Sequence, residues 1–268
     1  IRGDDHINNT FKHINIFKAL NKNVPTYGHL PMILGEDGKR LSKRHGALGV
    51  REYAALGILP EALKNYFLRL GWSMGDDEIF TDEDMKQNFL LGVFNNSPAT
   101  FSMEKLLWFN KYYLDKMSID NLMEVLTLKD LDDSEYSKTV IEAVRDRCST
   151  TNEFSTNTEY FFKDPEDYDP SLILKHCKED TFNQLSLLKD RLKELKSWDQ
   201  NDIKAVIDKV IFDLEISFGK IGLPLRLALT ATVNSPSIDL VCQILGRDVT
   251  FNRLENFLIK IRDLKTDQ

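Results

Sequence analysis

The chain has 268 residues, 42% hydrophobic and 29% charged, with a net charge of -7, and at ~100–200 residues per domain it suggests about two domains. No apolar run approaches the ~18 residues of a membrane span, and no Met or basic-apolar leader is seen at Ile1, so neither a transmembrane helix nor a signal peptide is expected. Cys148, Cys177 and Cys242 lie too far apart for a disulfide framework or a cysteine-based zinc site, which makes a reducing cytoplasm the default compartment.

A net charge of -7 argues against nucleic-acid binding, but the average hides a gradient: residues 1–69 carry a net +5, residues 70–198 a net -11 and residues 199–268 a net -1. Phosphate chemistry is therefore to be sought at the N-terminal end. There Asn9 or Thr10 can cap a helix carrying Phe11, Ile14, Phe17 and Leu20, and Pro25 ends the stretch. Leu30–Leu34 is an apolar run of strand length, and Gly35-Glu-Asp-Gly38 is a turn. Lys39-Arg-Leu-Ser-Lys-Arg-His-Gly46 follows as a concentrated basic segment.

Beyond residue 50 nearly everything reads as helix. Gly57 closes a short helix from Arg51, Pro60 opens another that ends near Gly71, and Ser102 caps a third. Ile203, Val206, Ile207, Val210, Ile211, Leu214 and Phe218 form an amphipathic spacing, repeated by Leu254, Phe257, Leu258, Ile261 and Leu264. Thr150–Thr158 reads as a polar hinge, and Asp164–Pro170 as a solvated acidic loop. Trp72 and Trp108 sit in apolar contexts that favour core packing over base stacking, and the acids of Asp76–Glu78 and Asp82–Asp84 suit a helix start better than a metal. The fold class is mainly α: a short α/β piece followed by an α-helical body. Fifty residues supply only one or two strands, so either this piece packs on the helices or the rest of an α/β domain lies outside this chain.

The basic segment carries the sharpest chemistry. Ammonium and guanidinium groups after a glycine turn would stabilise a pentacovalent phosphate and departing pyrophosphate. The alternative is a solvated basic turn. It is not a Walker A loop, because the spacing and the Lys-Ser/Thr ending are missing.

Arg40-Leu-Ser-Lys-Arg44 resembles the second signature of class I aminoacyl-tRNA synthetases, and Leu41–Gly46 looks like the form found in bacterial-type glutamyl-tRNA synthetases. Arg2–Thr10 is similar to that family's strand-to-helix turn beneath the active site, and Thr26–Leu34 to its strand leading into the signature loop. Leu59–Tyr66, Leu70–Ser73, Ser97–Ala99 and Lys105–Asn110 resemble the helices that follow, and Gly219–Arg226 with Ala228–Thr230 resembles the anticodon-binding segment. The region between about 115 and 200 matches in helical character alone. In two respects the chain departs from the family: Arg40 stands where Lys is usual, and none of His6, His13, His29, His45 and His176 forms the first signature, His-x-Gly-His. The resemblance thus implies the C-terminal portion of a glutamate–tRNA ligase, without the first half of its Rossmann-type catalytic domain and expected to be inactive alone.

The same resemblance implies a division into residues 1–50 as the end of the catalytic domain, 51–120 as a helical stem-contact domain and 121–268 as the anticodon-binding region, divisible into lobes 121–198 and 199–268. Lys43 would be the ATP-phosphate lysine, assisted by Ser42, Arg40 and Arg44. Arg2 would hold the glutamate carboxylate, with pairing to Asp4 or Asp5 as the alternative, and Asp5 and His6 would lie near the adenylate, with edge packing as the alternative for His6. Lys220 and Arg226 would meet tRNA, whereas Lys189, Arg191, Lys193, Lys196, Arg145 and Arg147 are cationic helix faces without motif support. ATP with Mg²⁺, glutamate and tRNA(Glu) are the implied substrates and partners, with no zinc, no membrane and a monomeric state. A stand-alone tRNA-binding helical module and a glutaminyl-tRNA synthetase are the alternatives. The latter carries β-barrels after the shared core, whereas this chain reads helical.

Overall fold

The computed structural model describes residues 1–42, 48–72, 75–89, 94–126, 128, 131–132 and 134–266. It divides into two compact units, Ile1–Met117 with Ser149–Asn152, and Ser118–Cys148 with Glu153–Gln268. It is mainly helical, as expected, with a small α/β portion at the N-terminal end.

In the first unit, β1 (Arg2–Gly3) leads through a 3-10 turn (Asp4–His6) into α1 (Ile7–Ala19) and back to β2 (His29–Leu30), which pairs parallel with β1. α1 starts at Ile7, ahead of the expected caps Asn9 and Thr10, and has no side-chain cap. The run Leu30–Leu34 is not one strand. Leu30 pairs with Gly3, whereas β3 (Ile33–Leu34) pairs parallel with β4 (Ala99–Thr100). Pro31 stands between them and has no N–H to continue a ladder. Two-residue strands carry too little alternation to be seen in the sequence, which is why β4 is absent from its reading.

The helices of this unit are α2 (Val50–Ala55), α3 (Pro60–Gly71), α4 (Asp82–Asn88) and α5 (Met103–Lys116). Gly57 ends the first with φ +80, and an added Cβ there would lie 2.8 Å from the Asn152 nitrogen. α3 packs on α5 through Tyr66, whose ring centroid lies 5.5 Å from that of Phe101 and 5.8 Å from that of Phe109. Two buried asparagines tie loops to these helices. Asn65 accepts from Phe80 N and donates to the Glu78 carbonyl. Asn110 accepts from Leu59 N and donates to the Gly57 and Ser149 carbonyls.

The second unit holds α6 (Ile119–Val125), α7 (Glu135–Arg145), most of α8 (Thr151–Phe162), α9 (Pro170–His176), α10 (Thr181–Lys193), α11 (Gln200–Asp213), α12 (Gly219–Thr230), α13 (Ile238–Leu245) and α14 (Arg247–Thr266). α12 is its axis: Ile221, Leu225, Ala228 and Leu229 are buried, and the helix packs on α9, α10, α13 and α14. The segment Thr150–Thr158, expected as a polar hinge, is helix α8 from Thr151 onward, because Phe154, Thr158 and Phe161 line one face at i, i+4 and i+7 and are buried; the division between the two units falls inside it, after Asn152. The amphipathic run from Ile203 stops at Asp213, where Glu215 takes φ +52, so Phe218 falls outside the helix and is exposed. Leu254, Phe257, Leu258 and Ile261 are buried as expected. The side chain of Leu264 lies outside the described residues.

Of the acids expected at a helix start, Asp82–Asp84 open α4, whereas Asp76–Glu78 lie in the turn and loop before it. Thr81 and Asp84 form a reciprocal capping box, Asp169 caps α9 and Asp199 caps α11. The Thr81 hydroxyl and amide hold Asp84 below the usual carboxylate range, Ser171 does so for Asp169, and the Asp202 amide does so for Asp199. Because these pKa values fall on folding, their stabilisation is present above the unfolded value of about 4 and is lost as pH drops through the folded values. The urea midpoint is therefore expected to hold from about pH 7 to 5 and to decline below about pH 4. A midpoint that rises on acidification contradicts this sign.

Candidate active site and nucleic-acid surfaces

Arg2, the first residue of β1, is held by three residues from α1 and β2. Its guanidinium meets Thr10 Oγ1, His29 Nε2 at 3.3 Å and His13 Nδ1 at 3.2 Å, and lies 5.0 Å from the centroid of the Tyr27 ring. Neither Asp4 nor Asp5 is among its partners. The parallel pairing of β1 with β2 explains this, since it sets Arg2 opposite His29. Thr10, His13 and His29 are not legible as a set from the chain order, because they come from two elements brought together by the crossover. The plane of an arginine fork fixed on several sides suits bidentate capture of a carboxylate.

The basic segment leaves a tight hairpin. Gly35 N donates to Lys39 O at 2.7 Å, Gly38 takes φ +72, Leu34 bridges Arg40, and Leu41 N donates to Ile33 O at 2.9 Å. Arg40 reaches Asp5 Oδ2 at 3.2 Å, and His6 Nε2 lies 3.9 Å from Asp5 Oδ1. Arg40, Asp5 and His6 are thus brought together, 35 residues apart in sequence for the ion pair. Ser42 follows directly after the hairpin. Lys43, Arg44, His45 and Gly46 lie outside the described residues.

Trp72 is buried at 3% exposure, as expected, but Trp108 is 46% exposed. Leu106, Phe109, Asn110 and Leu114 take the buried face of α5 and turn Trp108 outward. Lys105 Nζ sits 4.2 Å from the Trp108 ring centroid, and Tyr112 stacks beside it at 6.4 Å. An exposed indole with a cation on its face is a surface suited to nucleic acid.

In the second unit, Arg226 spends its guanidinium internally, donating to Ser235 O and Oγ at 2.6 Å each and to Pro236 O at 2.9 Å. Burial lowers its pKa from the usual arginine value. Lys220 is exposed at the start of α12. Of the cationic faces, Lys189 and Lys193 share Glu255 at 3.2 and 3.7 Å, and Arg145 pairs with Glu142 at 3.2 Å. The acidic loop after α8 is not wholly solvated, since Asp164 pairs with the buried Arg253 at 2.7 Å. Among the described residues no cluster of three His, Cys, Asp or Glu could hold a metal ion, and no helix is long and apolar enough to cross a membrane. Glu78 and Asp82 are engaged instead by Lys105 and Lys64.

The chain belongs to the anticodon binding domain family, whose model matches residues 108–258. Residues 1–108 match the model for the catalytic domain of class I tRNA synthetases (E and Q). The relatives are glutamate–tRNA ligases. That of Legionella pneumophila (strain Paris) is 41% identical over 98% of this chain and 57% of its own length, and that of Ruthia magnifica subsp. Calyptogena magnifica is 41% identical over 95% and 57%. The crystal structure of a glutamate tRNA ligase from Elizabethkingia meningosepticum in complex with its amino acid superposes with a TM-score of 0.78 at 26% identity, covering 96% of this chain and 56% of that one. The chain therefore spans about 57% of the length of the curated relatives it matches.

Proposed function

We propose that this chain serves glutamate–tRNA ligation: ATP-dependent formation of glutamyl-adenylate and transfer of glutamate to tRNA(Glu). The observation that carries the reading is 41% identity to glutamate–tRNA ligases across 98% of the chain, with catalytic and anticodon-binding family models in consecutive order. ATP enters as substrate with its Mg²⁺, in the cytoplasm, and the protein acts as a monomer. Arg2 receives the glutamate carboxylate. Asp5 and His6 border the adenylate. Lys43, with Ser42, Arg40 and Arg44, offsets charge on the phosphates as pyrophosphate leaves. Residues 1–50 belong to the catalytic domain, 51–120 contact the tRNA stem, with Trp108 and Lys105 on its surface, and 121–268 bind the anticodon end. There Lys220 contacts RNA directly, and Arg226 shapes the loop at Ser235–Pro236 that bases approach.

The 268-residue chain is expected to retard tRNA(Glu) in a gel, with affinity that falls steeply with salt. It is expected to give no glutamate- and tRNA-dependent ATP–pyrophosphate exchange, because it contains no His-x-Gly-His signature. In a protein extended by that signature, Lys43→Ala should slow adenylate formation about tenfold or more while leaving tRNA affinity unchanged. Loss of tRNA binding with an unchanged single-turnover rate would refute the role of Lys43. Absence of tRNA binding by the parent chain would refute the reading itself.

A further inference from the structure

A pocket of about 300 Å³ in the first unit lies apart from the Arg2 and Arg40 clusters, and its polar wall joins two cations, three hydroxyls and one carboxylate. Tyr66 and Arg69 come to it from α3, Thr100 from β4, Ser102 and Lys105 from the start of α5, and Glu78 from the preceding loop. The decisive group is Arg69. Its Nη1 is fully buried and has no hydrogen-bond partner among the described residues. A buried guanidinium donor left unmade costs about 1–3 kcal/mol or more, so a group of this kind signals a missing acceptor. Among the described residues the pocket lining offers no free carboxylate. Glu78, the one acidic side chain of that lining among the described residues, is engaged by Lys105. Tyr66 Oη already accepts the Ser102 N–H at 2.7 Å, which leaves its own proton to donate, and burial raises its pKa so that the proton stays. Ser102 Oγ accepts from Lys105 N and likewise keeps a hydroxyl proton.

Two cations against one carboxylate, a planar fork and three hydroxyls describe a site for an oxyanion with several acceptor oxygens. We infer that this pocket binds a phosphate group, with Arg69 as its principal ligand, and that in an RNA complex the group is a backbone phosphodiester. The RNA source rests on the tRNA reading above; the phosphate chemistry does not. Trp108 stands against Lys105, which lines the pocket, and offers an exposed ring face for a neighbouring base or ribose.

The test compares the whole chain with Arg69→Gln and Arg69→Lys, each checked by circular dichroism for an unchanged helical signal. Filter binding is done with tRNA(Glu) and an unrelated RNA hairpin across salt concentrations, and thermal shift with inorganic phosphate. Arg69→Gln should weaken both RNAs by about five- to tenfold, and should flatten the plot of log K against log salt by about one unit. Arg69→Lys, which keeps the charge but not the fork, should retain the slope and lose part of the affinity. If only the phosphate-induced thermal shift disappears, the site takes free phosphate and the RNA assignment falls. If the parent chain binds no RNA, the tRNA reading has failed and the phosphate arm alone decides the site. Identical behaviour of parent and Arg69→Gln in every arm overturns the inference.

Discussion

Arg253→Met is expected to destabilise the second unit by about 3–5 kcal/mol, because it leaves three backbone carbonyls without their donors at roughly 1–3 kcal/mol for each one that stays buried. Arg253 is only 4% exposed, yet its guanidinium makes four directed interactions from α14. Nη1 donates to Tyr160 O and Leu229 O at 2.7 Å each, Nη2 to Lys163 O at 3.1 Å, and Nε to Asp164 Oδ1 at 2.7 Å. One side chain thus satisfies the last carbonyls of α8, a carbonyl in the last turn of α12 and the loop that follows α8. Met replaces the volume of the stem but leaves three carbonyls without these donors. Asp164, itself 67% exposed, rehydrates at little cost, so the loss comes from the carbonyls and not from the ion pair. Arg253→Lys should recover less than half of the deficit, since a single ammonium cannot reach acceptors on two sides. Urea denaturation followed at 222 nm measures this. A loss below about 1 kcal/mol for the Met variant would show that water replaces the fork.

Asn110→Ala should cost the first unit about 3 kcal/mol, at roughly 1–3 kcal/mol for each buried polar group left unmade. Its Oδ1 accepts the Leu59 N–H at 2.7 Å, and its Nδ2 donates to Ser149 O at 2.7 Å and Gly57 O at 3.1 Å. Gly57 O keeps the Thr151 N–H at 3.0 Å, so the Leu59 amide and the Ser149 carbonyl are the groups that suffer. The Leu59 amide opens α3, and its loss loosens the start of the helix that carries Tyr66 and Arg69. Asn110→Asp sharpens the test. It preserves the acceptor for Leu59 but sets a carboxylate against two carbonyls, and should be at least as destabilising as Ala at pH 7. An Asp variant more stable than the Ala variant would mean that the donor half of Asn110 is dispensable.

Much of the local structure was legible. Pro60 opens α3, Ser102 caps α5, and Gly57 halts α2 at positive φ, each through backbone chemistry confined to a few residues. The basic signature could be read for the same reason, as its residues are contiguous. The loop expected at Thr150–Thr158 is helical from Thr151 because composition hid a buried face of only a few apolar residues, although the division between the two units does fall within it, after Asn152. The helix from Ile203 overran because an apolar pattern can continue through a left-handed residue at Glu215 that no periodicity announces. Trp108 went outward although its neighbours are apolar, since α5 has room on its buried face for Leu106, Phe109 and Leu114 and a residue two from Leu106 points elsewhere.

The sequence by itself determined a helical protein with a basic, phosphate-directed turn at its N-terminal end, and it determined the family through contiguous motifs in a fixed order. Those properties depend on hydrophobic period, on capping chemistry and on residues close together along the chain. Only the tertiary structure decided that Arg2 lies against Thr10, His13 and His29, that Arg40 meets Asp5, that Arg253 is consumed by carbonyls and that Arg69 Nη1 is buried with no acceptor among the described residues. An arginine's sequence neighbours do not fix its partner, because the guanidinium sits at the end of a long side chain and bonds whatever acceptors the packed helices bring within reach.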